Sequence, residues 1–124
     1  DLIQNDENYK NILQVMLQKA FQVTPVYKEV DEWDEEEGYH MGVYLCLGKK
    51  EHEFQPNSEF VKNVEDFMNS KEYAALDVLK TMWFHRDEKY DCGLVIFLSS
   101  SKHKIKKKAE QAACKSSIEK LRQF

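Results

Sequence analysis

The chain has 124 residues, 42% of them hydrophobic, which suffices for one domain with a core and is short for two. A net charge of −4 would exclude a nucleic-acid binder if charge were evenly spread, but of 18 Lys+Arg and 22 Asp+Glu, 8 and 2 lie from Ser101 onward, leaving 10 and 20 before it. The tail is therefore about +6 and the body about −10, an asymmetry that points to a localised anion-binding surface. No apolar run approaches the roughly 18 residues of a membrane span, and the start carries neither a signal nor a transit pattern. Cys46, Cys92 and Cys114 are odd in number and without short spacing, which suits a reducing compartment. An intracellular protein of cytoplasm or nucleus, without a membrane partner, is expected. A beginning at Asp1 rather than methionine reads as a piece of something longer.

In chain order, Asn5 or Asp6 caps a helix over about 6–20, with Tyr9, Leu13, Met16, Leu17 and Ala20 as its apolar stripe and Asn11, Gln14, Val15 and Gln18 on the other face. Thr24-Pro25 ends that pattern, and alternation from Val26 predicts a strand over about 26–31. Residues 31–37 form a turn dense with carboxylates around Trp33. Residues 39–47 (YHMGVYLCL) predict a central strand, and CGLVIFL from Cys92 predicts another over about 92–99.

Between those strands lies an insertion, 48–91. Asn57-Ser58 is positioned to cap a helix through about Asn69, with Phe60, Val61, Val64, Phe67 and Met68 as its apolar face, and a second helix is expected from about Ser70 to Phe84. So apolar a pair must bury its face. Its own domain, a protein partner or second copy, and RNA approached through Lys80, His85, Arg86 and Lys89 are the three open destinations.

The last element, a helix over about 105–122, begins in a lysine cluster: Lys102, Lys104, Lys106, Lys107 and Lys108. At about 100° per residue, Ala109, Ala112, Ala113 and Ser116 share one stripe and Lys107, Lys108, Gln111 and Lys115 the opposite half. Alanines let a helix lie close on a sheet. Lysines at a helix start oppose the macrodipole, so an anion such as a phosphate is expected there.

The segment Lys106-Lys107-Lys108-Ala109-Glu110-Gln111-Ala112-Ala113 resembles the signature opening the second helix of the double-stranded RNA-binding domain. Pro25-Val26-Tyr27 is similar to that family's approach to its first strand, and Tyr9 to Gln18 resembles the first helix of the C-terminal domain of ribonuclease III enzymes. The resemblance implies an α+β fold of order α-β-β-β-α, with two helices on one face of a three-stranded antiparallel sheet. It also implies duplex RNA as partner, gripped by Lys106 and Lys107 with help from Lys102, Lys104 and Lys108, while Asn11, Gln14 and Gln18 touch a minor groove. Two departures stand out. Val15 replaces a usual acidic residue, and Glu32 to Glu35 replace the glycine-proline-x-histidine loop that family members insert into the minor groove.

Catalysis is not expected of this chain. His40, His52, His85 and His103 are scattered, and no spacing brings a serine or cysteine to a histidine and an acid. The cysteines lack a zinc spacing, the acidic run lacks the glycine of a calcium loop, and the ribonuclease III acidic helix is absent, so neither metal nor cofactor is called for. The alternative to RNA binding is the same fold turned to protein contact or dimerisation through the 48–91 insertion.

Overall fold

The computed structural model describes residues 7–47, 54–56, 58, 59, 61–74 and 94–123. Helix α1 spans Glu7–Phe21, strand β1 Val26–Asp34 and β2 Gly38–Leu47. Then come β3 (Val61–Asn63), α2 (Val64–Met68), α3 (Lys71–Ala74), β4 (Leu94–His103) and the closing helix α4 (Lys106–Leu121). The class is α+β, as expected. The sheet is not the three-stranded antiparallel one: it has four strands in the order β1-β2-β4-β3, and β3 runs parallel to β4 through Val61↔Val95, Lys62↔Ile96 and Asn63↔Phe97.

That fourth strand corrects the reading of the insertion. Ser58 does not open a helix, and Asn57 lies outside the described residues; Val61 to Asn63 are extended along the edge of β4, and the helix begins after Asn63, whose side chain makes no cap. Backbone groups of a short apolar run gain hydrogen bonds from an open sheet edge as well as from a helix, and here the edge takes them. Val64 and Phe67 still turn inward as the helical pattern required, and both are buried. Of the second expected helix only α3 lies among the described residues; the remainder, with Lys80, Trp83, Phe84, His85, Arg86 and Lys89, lies outside them.

The main core fills the space between the sheet and its two long helices. Leu13, Leu17 and Phe21 enter from α1, Val43, Leu45 and Leu47 from β2, Ile96 and Leu98 from β4, Ala113, Cys114 and Ile118 from α4, and Val64 and Phe67 from α2. Each full-sized aliphatic or aromatic side chain so buried contributes about 1.5–3 kcal/mol. The inner stripe of α1 continues to Phe21 instead of ending on Ala20, which is exposed. Gln22, with φ of 60°, then turns the chain out of the helix, its N–H donating to Gln18 O at 3.0 Å.

Strand periodicity places alternate residues on the other face, where Val26, Tyr44, Cys46 and Val95 form a second apolar cluster under Phe54. The Tyr44 ring lies 5.2 Å from Phe54 and 5.4 Å from Phe97. Lys28 clamps this cover, donating from Nζ to Phe54 O at 3.2 Å. The described part of the insertion thus belongs to its own domain, adding a strand to the sheet, two side chains to the main core and a lid to the back.

The β1–β2 hairpin positions the site. Asp34 Oδ2 accepts from the Glu37 N–H at 2.8 Å, closing a turn, and Gly38 follows with φ of +84°. A side chain there would meet His103 O and Lys104 Cα at 2.5 Å, so glycine is required both by conformation and by contact. The acidic hairpin is therefore pressed against the end of β4, where the lysine cluster begins.

Candidate nucleic-acid interface

Strand β4 continues to His103, four residues beyond its expected end, which puts Lys102 on a strand opposite His40 of β2 rather than in a loop. Lys104 and Ile105 make the turn into α4, with the Ile105 N–H donating to His103 Nδ1 at 2.9 Å. Ile105 holds the cap position in extended conformation and offers no side-chain acceptor, and no acidic residue lies in the first turn. Lys106, Lys107 and Lys108 occupy that turn, and all are exposed. The positive end of the helix dipole and three ammonium groups thus coincide, an arrangement that favours a bound anion.

The alanine stripe is rotated from its expected direction. Ala109 and Ala113 are buried, but Ala112 is exposed, and the inward face is completed by Cys114, Ser117, Ile118 and Gln111. Gln111, expected among the solvent-facing lysines, is 3% exposed. Its Oε1 accepts the Lys10 N–H at 3.3 Å, so it sits between α4 and α1, and its Nε2 has no partner among the described residues. Beside it Lys10 Nζ donates to Glu110 at 2.6 Å and lies 4.8 Å from the centre of the Tyr27 ring. These contacts join the start of α1 to the start of α4. Tyr27 and Cys114 close the junction: the thiol approaches the phenolic oxygen at 3.5 Å, and burial pushes both groups above their ordinary proton affinities.

On the outer face of α1, Asn11, Gln14 and Gln18 are exposed and with Val15 and Lys19 line one shallow depression. The amide groups are therefore side by side, as the helical spacing required. Val15, 53% exposed, places an apolar surface in the middle of this row.

The cations are not equivalent. Lys102 Nζ donates to Glu37 at 2.6 Å, and the carboxylate holds the ammonium more firmly protonated than usual. Lys106 Nζ lies 3.7 Å from Glu29. Lys104 and Lys108 have no ion-pair partner among the described residues. Because the members of both pairs are about half exposed, these are surface ion pairs of little strength, open to exchange.

A third contact of the hairpin could not be read from spacing. His40 Nδ1 is 2.7 Å from Asp31 Oδ2, and its Nε2 is 2.9 Å from Ser100 Oγ. The three residues are 9 and 60 positions apart and become neighbours only through strand register. Their linear order of acid, imidazole and hydroxyl spans β1, β2 and β4 and ties the hairpin across the sheet. Among the described residues no group of three or more His, Cys, Asp or Glu side chains is placed to hold a metal ion. No described helix is long and apolar enough to cross a membrane.

Comparison of the chain with protein-family models, with curated proteins and with solved structures finds no match.

Proposed function

We propose that the chain binds double-stranded RNA by shape and phosphate contact, as the non-catalytic RNA-binding module of a ribonuclease III-like enzyme. The observation that carries this reading is the start of α4. Its exposed first-turn lysines and Lys104 surround a helix end without a side-chain cap, while Ala109 and Ala113 rest the same helix on the sheet. A-form RNA conceals base edges in a deep, narrow major groove and displays 2′-hydroxyls in a shallow one. A rigid module meets it best with ammonium groups on the phosphate rails and neutral hydrogen-bonding side chains in the shallow groove. Lys104, Lys106, Lys107 and Lys108, with Lys102 at the strand end, supply the first, and Asn11, Gln14 and Gln18 the second. Amides both donate and accept, which suits hydroxyls, and none of these contacts distinguishes one base pair from another.

The described part of the insertion favours this reading over one in which it serves mainly as a protein interface. Phe67, part of the apolar face such an interface would use, is wholly buried in the chain's own core. Trp83, on the second expected helix of the insertion, lies outside the described residues.

The test is titration of labelled duplex RNA with the wild type and with a Lys106→Glu, Lys107→Glu variant. Binding should fall steeply with salt, and the variant should lose more than about tenfold in affinity, with the log–log salt slope reduced by roughly one unit per phosphate contact removed. A wild type that ignores duplex RNA at low salt, or a variant that binds equally well, rejects the function.

A further inference from the structure

The lysine cluster of this chain carries its own competitor. Glu37 and Glu29 hold Lys102 and Lys106 from two points of the acidic hairpin, at 2.6 Å and 3.7 Å, and Asp31 engages His40 between them. The hairpin is set against the end of β4, because Gly38 fits beside His103 and Lys104 with no room for a side chain. The carboxylates therefore stay near whatever anion approaches the lysines.

We propose that Glu29 and Glu37 determine which polyanions the cluster accepts, holding Lys106 and Lys102 until a ligand with closely spaced phosphates displaces them. The proposal rests on the RNA-binding reading above. Exchanging one carboxylate for one phosphate leaves an ammonium with the same number of neutralising partners, and it leaves the released carboxylate beside the new anion. The exchange is favourable only when several phosphates lie within a screening length of about 8–10 Å of the same ammonium. A duplex presents two strands of charge at high axial density, and a single strand presents less. Exposed carboxylate partners weaken binding to every polyanion, and the weakest competitors fall below the threshold for binding first. This converts a generally sticky basic patch into one that selects for duplexes. It also gives a role to the two carboxylates that flank Glu32 to Glu35, the stretch where the family's minor-groove loop is expected.

The experiment compares the wild type, a Glu29→Gln, Glu37→Gln variant and a Glu35→Gln, Glu36→Gln control. Glu35 and Glu36 lie in the same turn and make no ion pair among the described residues, so the control removes the same two charges without freeing a lysine. Each protein is titrated with an RNA duplex of about 20 base pairs, longer than the roughly 16 such a module spans, and with one of its single strands. The double variant should bind the duplex roughly three- to tenfold tighter at about 0.1 M salt, with a log–log slope steeper by one to two units. Its affinity for the single strand should rise further, so that the preference for duplex shrinks, and the control should remain close to the wild type.

If wild type binds duplex and the double variant binds it no tighter, or if the control gains as much, the competition between carboxylate and phosphate is refuted while RNA binding stands. If wild type and all variants fail to bind duplex at low salt, RNA binding itself is refuted and the selection role falls with it. A wild type that does not bind duplex at low salt beside a double variant that does refutes selection for duplexes, because the carboxylates then exclude the ligand they are proposed to admit.

Discussion

Where β2 runs from Met41 to Leu47 every side chain is buried, with Val43, Leu45 and Leu47 against the helices and Tyr44 and Cys46 under Phe54. At the other end of the same sheet, residues 31–37 are all exposed; Asp31 pairs with His40 of β2 and Glu37 with Lys102 of β4, while Glu29 just before them reaches Lys106 of α4. One end is held by removal of apolar surface from water, which salt barely affects; the other by exposed charges, which salt screens. Stability and the proposed ligand chemistry thus fall at opposite ends of three shared strands. On that proposal the hairpin end exchanges its carboxylates for another anion without disturbing the core.

The largest expected effect that would sharpen this contrast is at Phe67. It packs 6.3 Å from Phe21 and 5.5 Å from Tyr73, at 0% exposure, so Phe67→Ala should cost about 3–5 kcal/mol in urea unfolding. A loss below about 1 kcal/mol would mean that the insertion is not part of the core. Next comes Gly38→Ala, which forces a Cβ into the left-handed conformation and against the β4 backbone; a loss of about 1–3 kcal/mol is expected. The backbone amides of Tyr39, His103 and Lys104 should shift in heteronuclear NMR spectra while those of Leu45 and Ile96 do not. Shifts spread evenly through the sheet would break the separation of the two ends.

The smallest effect concerns alkali. Burial pushes the Tyr44 phenol up to about 12, and Tyr27 and Cys114 are raised as well, so the folded chain keeps protons that the unfolded chain gives up first. The stability contributed by these neutral groups is complete below the ordinary thiol value of 9.0 and declines as pH rises through 10 toward 12. Urea midpoints measured from pH 7 to 11 should therefore fall only at the alkaline end, and Tyr27→Phe should flatten that fall. A decline that is unchanged in the variant would place its origin elsewhere.

Much of this architecture was legible in the residues. The periodicities of α1, β1, β2, β4 and α4 located each element within a few positions, because long, strongly patterned segments fold as their pattern requires. The segment around Val61 was not legible. A run of three extended residues depends on Val95 to Phe97, distant in the chain, and helical spacing from Val64 onward concealed it. Gln111 was assigned to solvent by its polarity, whereas its place opposite Lys10 is set by how α1 crosses α4. The site divides in the same way. The lysines and the amide row were visible as charge and spacing, and the acidic turn was visible as an obstacle to RNA. That Glu29 and Glu37 would reach back to particular lysines follows from the hairpin register and from Gly38, neither of which composition records.

The parallel placement of β3 has a consequence for how copies of this molecule meet. Sheets grow by recruiting a stranger's backbone along an unguarded flank, and β4 would offer one across 95–97 had the chain not laid Val61 to Asn63 there itself. The opposite flank, β1, bears Glu29, Asp31 and Glu32, whose mutual repulsion turns an identical neighbour away. Self-templated stacking is thereby discouraged on both sides, on one because the outer strand is only three residues long and on the other by charge.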